Sequence, residues 1–308
     1  MKIARILTVM AALVLFAAPG RAEEPQAAEK VDIITPHITD GDHMEIPWIL
    51  PPFFKEITLP KYKALQFHIG GIEVDLSPTK HVYFLLIGAL LLVTVMTLVA
   101  RAHARTAAQG TAPKGAANGF EAMILYIRNE VILPNVGHHG EGFVPYLLTV
   151  FFFILTLNLL GLVPYGATAT GNISVTATLA LLTFLTVEIA GIRANGWGYL
   201  STIFYWNKDL PVVMRPLMFL IISPVELLGK FTKPFALAIR LFANMTAGHI
   251  VLVAMMGLFF SFGLPIGVAP LLMAVAIMFL EIFVAFLQAF VFTLLSSVFI
   301  GLIREAHH

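Results

Sequence analysis

The sequence predicts an all-α integral membrane protein. Five membrane helices and one cytoplasmic surface helix are expected, the last two membrane helices being long and tilted as a hairpin. Three observations carry this expectation. Of 308 residues, 58% are hydrophobic and only 12% are charged, against about 25% charged in a soluble domain. Mean hydropathy is +0.87. Uncharged runs recur along the chain, the longest being Gly142–Val187 and Leu241–Leu280, and about 20 apolar residues suffice to span a bilayer. A formal charge of +1 suggests no nucleic-acid partner, and zero cysteines exclude disulfides, iron–sulfur clusters and thiol chemistry.

Residues 1–22 read as a signal peptide, with an uncleaved membrane-surface segment as the alternative. Lys2 and Arg5 precede an apolar run, Ile6–Ala18, that is too short to span, and Gly20-Arg21-Ala22 offers a cleavage site. Residues 23–80 are polar and proline-rich, an extracytoplasmic segment in which Phe67–Val74 forms a hairpin around Gly70-Gly71. His37, His43 and His68 lie scattered among turn residues and are not read as metal ligands. Residues 81–105 hold the first membrane helix, whose uncharged core is Val82–Ala100. Arg101, His103, Arg105 and Lys114 mark its cytoplasmic end.

Residues 106–142 combine a flexible linker with a surface helix, Phe120–Pro134, whose apolar face is Phe120, Ile124, Ile127 and Val131. His138-His139 beside Glu141 are adjacent on a loop, a poor arrangement for chelation. Residues 143–195 form a membrane hairpin broken at Pro164-Tyr165-Gly166, with Glu188 and Arg193 near its cytoplasmic exit. Asn158 lies inside it and needs a partner or water, as interhelical glue or as part of a wet path. Residues 196–216 are an interfacial loop carrying Trp197, Tyr199, Tyr205 and Trp206.

Residues 217–308 hold the long hairpin. On its first helix Glu226, Lys230, Lys233, Leu237, Arg240 and Asn244 fall on one stripe at about 100° per residue. Lys230 and Lys233 read as snorkelling groups near a helix end. Arg240 does not, because a cation next to hydrocarbon is costly and is a functional hypothesis by default. Counted from the turn at Gly263-Leu264, Arg240 and Gln288 reach one depth, and His249 and Glu281 lie within a turn of each other. A buried His and Glu form either a static hydrogen-bonded pair or a proton relay. No acidic residue lies at the depth of Arg240. Glu226 is 14 residues away, about 21 Å along the axis, so the counter-charge is expected from another polypeptide.

The stretch Pro234–Met245 with Ala247-Gly248-His249 closely resembles the signature of subunit a of F-type ATP synthases. Asn158–Pro164 and Leu287–Phe292 add to the likeness, which runs in order over residues 80–305. The resemblance implies a stator subunit in the bacterial inner membrane, with its N-terminus extracytoplasmic and its C-terminus cytoplasmic. Its implied partners are the c-subunit ring, b-type peripheral stalk subunits, the rest of the ATP synthase and membrane lipid. It implies that Arg240 faces the ring carboxylate, and that Glu226, Asn244, His249, Glu281, Gln288 and Asn158 lie on the proton path. Some bacterial relatives carry Glu and His interchanged at the positions of His249 and Glu281. No cofactor, metal or nucleotide-binding motif is expected, so ATP chemistry falls to other subunits. A stand-alone secondary transporter is the alternative, and a structural anchor leaves Arg240 unexplained.

Overall fold

Apolar length decides the helices, and the ends of each are marked by local chemistry. A computed structural model describes residues 40–41, 43–47, 54–61, 66–69, 72–75, 77–111, 115–137, 140–163, 168–196, 198–199, 214–263 and 266–305. The expected signal peptide, His37, the His138-His139 pair, the Pro164-Tyr165-Gly166 break, Trp197, residues 200–213 and the tail 306–308 lie outside the described residues.

Helix α1 is Lys80–Ala108 and α2 is Ala116–Tyr126. The latter continues through a π-helical stretch, Ile127–Ile132, and one α-turn, Leu133–Val136. Then come α3 (Val144–Gly161), α4 (Ile173–Asn195), α5 (Met214–Phe262) and α6 (Val268–Glu305). Among the described residues, helices α1 and α3 to α6 are the five long and apolar enough to cross a membrane, and the chain is an all-α integral membrane protein. Ahead of them lie two short antiparallel pairs. Strand β1 (His43–Pro47) pairs with β2 (Phe54–Thr58), and β3 (Gln66–Ile69) with β4 (Ile72–Asp75). The register Ile69↔Ile72 agrees with the expected Phe67–Val74 hairpin, and Gly70-Gly71 lie outside the described residues.

Pro145 sits in the first turn of α3, where a missing N–H costs nothing. Asn172 caps α4 by accepting from the Ser174 N–H at 2.9 Å. Helix α5 ends at Gly263 with φ +59°, the left-handed conformation glycine adopts freely. At 49 and 38 residues, α5 and α6 extend about 74 and 57 Å, well beyond a hydrocarbon thickness of about 30 Å. Both therefore lie tilted or run on past the bilayer. Pro224 and Pro234 lie inside α5, which continues through them.

The core gathers around α3 and α6. Leu147, Phe151 and Ile154 of α3 pack with Phe292 and Ile300 of α6 and Leu241 of α5. Helix α6 turns Ala285, Ala289, Thr293, Ser296 and Ser297 inward, small side chains that let helices approach closely. The face of α2 and its π extension differs from expectation. Ile127, Val131 and Ile132 are 3%, 2% and 0% exposed within this core, so protein, not lipid, covers them.

The C-terminal part of α6 is clamped. Gly301 lies against the Asn135 carbonyl, where a Cβ would overlap backbone. Arg304 Nη1 donates to the Val136 carbonyl at 2.9 Å, and Asn195 Nδ2 donates to the Ile303 carbonyl at 2.8 Å. The turn end of the hairpin is open by contrast, with Phe262 56% and Ile266 65% exposed.

Asp40 ties the N-terminal segment to two helix starts. Its carboxylate meets His81 Nδ1 at 2.7 Å and accepts from Thr79 Oγ1 at 2.9 Å, both at the start of α1. It also accepts from Asn172 Nδ2 at 2.9 Å, at the cap of α4. The Lys80 N–H donates to the Gly41 carbonyl at 3.1 Å.

Candidate functional site: a polar track along the long hairpin

The stripe predicted on α5 runs along the border between its packed and open faces. Lys230 and Leu237 lie on the packed side, whereas Glu226, Lys233, Arg240 and Asn244 are exposed. Leu237, Ala238, Leu241 and Met245 anchor the packed side at 1–5% exposure. Arg240 stands 26 residues from Met214 and 22 from Phe262, near the middle of α5. Among the described residues no carboxylate pairs with it: the ion pairs are His81–Asp40, His103–Glu121 and Lys230–Glu188.

The second polar level sits on the opposing helix. Glu281 is 8% exposed, and neither carboxylate oxygen has a hydrogen-bond partner among the described residues. Its Oε1 lies so close over Gly248 that a Cβ there would overlap it. That contact brings Glu281 beside His249 and fixes the register of the hairpin. Eight residues back from Gly248 is Arg240, and seven on from Glu281 is Gln288. In antiparallel helices the two are then about one residue's rise apart in depth, roughly 1.5 Å. Gln288 is 3% exposed, on the same buried face as Glu281.

Asn158 belongs to this face too. It is fully buried, donates to the Ala285 carbonyl at 3.4 Å and accepts from Thr170 Oγ1 at 2.7 Å. Ala285 is the residue between Glu281 and Gln288 on that face, so Asn158 bridges α3 to the polar side of α6. Both ends of its amide are occupied, the geometry of interhelical glue. Near the same end, Thr246 Oγ1 donates to the Gly171 carbonyl at 3.4 Å, tying α5 to the turn that precedes α4.

Lys230 corrects the snorkelling expectation. It is 9% exposed and turned inward. Its Nζ lies 3.5 Å from Glu188 Oε1, 4.2 Å from the centre of the Tyr199 ring, and donates to the Tyr199 hydroxyl. That hydroxyl in turn donates to Glu188 Oε2. Burying an ammonium demands such compensation, and Glu188 of α4 and Tyr199 beyond its end supply it. Lys233 stays exposed, 5.5 Å from the centre of the Phe299 ring. The signal in the sequence was a lone carboxylate, Glu188, in an apolar helix, but nothing in its spacing named Lys230 as partner.

Glu188, Lys230 and Lys233 border a cavity of about 120 Å³ between α4, α5 and α6. Glu188, Glu226, Lys230 and Lys233 supply its charge, and Leu237 and Phe299 are among its apolar walls. Along α5 it extends from Glu226 to Leu237, which is about 16 Å and stops one turn short of Arg240. A titratable pair on one side of Arg240 and a charged cavity on the other could each carry protons to or from its level.

The model of the ATP synthase A chain family matches residues 82–301. ATP synthase subunit a of Chloroherpeton thalassium is 46% identical over 277 residues, 89% of this chain and 77% of the relative. ATP synthase subunit a 2 of Chlorobaculum tepidum is 44% identical over 300 residues, 96% of this chain and 79% of the relative. ATP synthase subunit a of Anaeromyxobacter dehalogenans is 48% identical over 281 residues, 86% and 68% respectively. The likeness runs through the hairpin that carries Arg240, Gln288 and Glu281, and on this ground the chain belongs to the ATP synthase A chain family.

Proposed function

We propose that the chain is the stator subunit that couples proton flow to rotation of a c-subunit ring. In this reading it provides two aqueous half-channels, and Arg240 separates them. It sits in a bacterial inner membrane, N-terminus outside and C-terminus inside, braced by b-type peripheral stalk subunits. The observation that carries the reading is Arg240 itself, exposed in mid-helix with no counter-charge from its own chain among the described residues.

A proton enters on the extracytoplasmic side past His249 and Glu281, with Asn158 and Gln288 fixing the polar face between helices. It protonates a ring carboxylate, and the neutral site turns through lipid. On the far side the carboxylate loses its proton into the cavity lined by Glu226, then approaches Arg240 beside Asn244. At about 4 Å and an effective dielectric near 20, the guanidinium favours the ionised carboxylate by roughly 4 kcal/mol before desolvation. That corresponds to about three pKa units for the ring group. A guanidinium keeps its proton in proteins, so it repels a proton crossing directly and does not carry one. Each charge moved through 100 mV contributes about 2.3 kcal/mol to rotation.

The test is Arg240→Ala in the whole ATP synthase. Proton-driven ATP synthesis in inverted vesicles should vanish while the complex still assembles. Near-normal synthesis removes the assignment.

A further inference from the structure

The cavity below Arg240 holds two carboxylates, Glu188 and Glu226, and two ammonium groups, Lys230 and Lys233. Its formal charge is therefore balanced. Three of the four sit on α5, and the fourth, Glu188, comes from α4. Without Glu188 the cavity would carry a surplus positive charge, and Lys230 would be the buried, uncompensated member. Lys230 is ten residues from Arg240, about 15 Å along the axis. A second unneutralised cation there would add to the repulsion that any positive ion meets in the passage.

We propose that Glu188, locked to Lys230 through the Tyr199 hydroxyl, sets the cation permeability of this cavity by cancelling the buried ammonium. The inference rests on the outlet reading given above and deepens it. A buried ion pair is often replaceable by apolar residues without loss of stability, so packing alone does not call for this one. Here the pair also borders space: the Glu188 side chain is 19% exposed, against 9% for Lys230. Both groups line the cavity, the carboxylate the more exposed of the two. Tyr199 bridges the two, accepting from Lys230 and donating to Glu188, which keeps the pair closed. From α6 the cavity meets only apolar side chains, Phe299, Leu302 and Ile303. Among the described residues, the charged groups that line the passage are these four.

The prediction has opposite signs at the two partners. Neutralising Glu188 leaves the cavity with one net positive charge. At about 10 Å and an effective dielectric near 20, that lowers the local proton population roughly tenfold. Neutralising Lys230 leaves one net negative charge and does not obstruct protons. Removing both restores balance.

The experiment measures ATP-driven proton uptake by inverted membrane vesicles carrying the whole ATP synthase. Rates are normalised to assembled complex by immunoblot and taken above pH 8, where proton delivery from the cytoplasmic side limits the rate. Glu188→Gln should pump about tenfold more slowly, Lys230→Met no more slowly than wild type, and the double variant within twofold of wild type. A Glu188→Gln variant with the wild-type rate overturns the proposal. So does a Lys230→Met or double variant as slow as Glu188→Gln, which marks a purely structural pair. If Glu188→Gln leaves no complex, Lys230→Met decides alone, because loss of pumping there has the wrong sign. Arg240→Ala in the same vesicles separates the two readings. Pumping in that variant overturns the stator mechanism, whereas a silent Arg240→Ala beside a normal Glu188→Gln overturns only the role of Glu188.

Discussion

Asp40→Ala should release the N-terminal segment from the membrane helices by a measurable amount. The carboxylate holds His81 Nδ1 at 2.7 Å, Thr79 Oγ1 and Asn172 Nδ2 at 2.9 Å, and the Gly41 N–H at 3.1 Å. A neutral hydrogen bond nets about 1 kcal/mol, and one to a charged group somewhat more. Asp40 is exposed, so solvent screening brings the sum down to roughly 2 kcal/mol, about thirtyfold in an opening equilibrium. Amide hydrogen exchange across residues 40–47 and the first turn of α1 should quicken by that factor in the purified complex. Asp40→Asn should fall between, because its amide still accepts from Thr79 but loses the charge.

Acid gives a second readout of the same contact. Burial alone pushes the Asp40 carboxyl up, but the hydrogen bond and charge of His81, helped by Thr79, outweigh it and hold the carboxyl below its ordinary 3.8. A depressed carboxyl contributes stability above its ordinary value and loses it as pH falls through the folded one. The wild-type segment should therefore stay protected at neutral pH and loosen below about pH 4, a step that Asp40→Ala lacks. Equal exchange in wild type and Asp40→Ala, within twofold at pH 7, refutes the reasoning.

Asn158→Ala removes both bridges from α3 and strands the Thr170 hydroxyl. Polar contacts between membrane helices are worth about 0.6 kcal/mol on average and a stranded hydroxyl costs about 1–3, so the solubilised complex should melt several degrees lower. An unchanged melting temperature counts against the bridge. Gly248→Ala places a Cβ on Glu281 Oε1, so the carboxylate must swing away. Proton-driven ATP synthesis should drop several-fold while the amount of assembled complex holds. Unimpaired synthesis shows that Glu281 has room to spare.

The helices were legible because a bilayer imposes length. Val82–Ala100 and the two long uncharged runs could become little else. The depth pairing of His249 with Glu281 was also legible, since counting outward from a short turn fixes register in an antiparallel hairpin. The contacts that join distant segments were not. Glu188 and Lys230 are 42 residues apart on different helices, and helical period names a face without naming what faces it. Lys230 therefore read as a snorkelling side chain. Ile127 and Val131 read as a lipid-facing stripe for the same reason: period cannot tell a hydrocarbon surface from a neighbouring helix. Strand β1 alternates polar and apolar residues but β2, with Lys55 and Glu56 side by side, does not, and Asp40 was one polar residue among many in a proline-rich stretch.

The anchorage of the last helix at Gly301, Ile303 and Arg304 has a mechanical corollary. A beam gripped at one end deflects least beside the grip and most at its far tip. Sideways load from a turning neighbour would therefore be felt as bending toward Gly263, while the stretch near Ser296 and Ile300 stays put. Glu281 lies on the more compliant half and Gln288 nearer the support, so stiffness should grade along the hairpin from one polar level to the next.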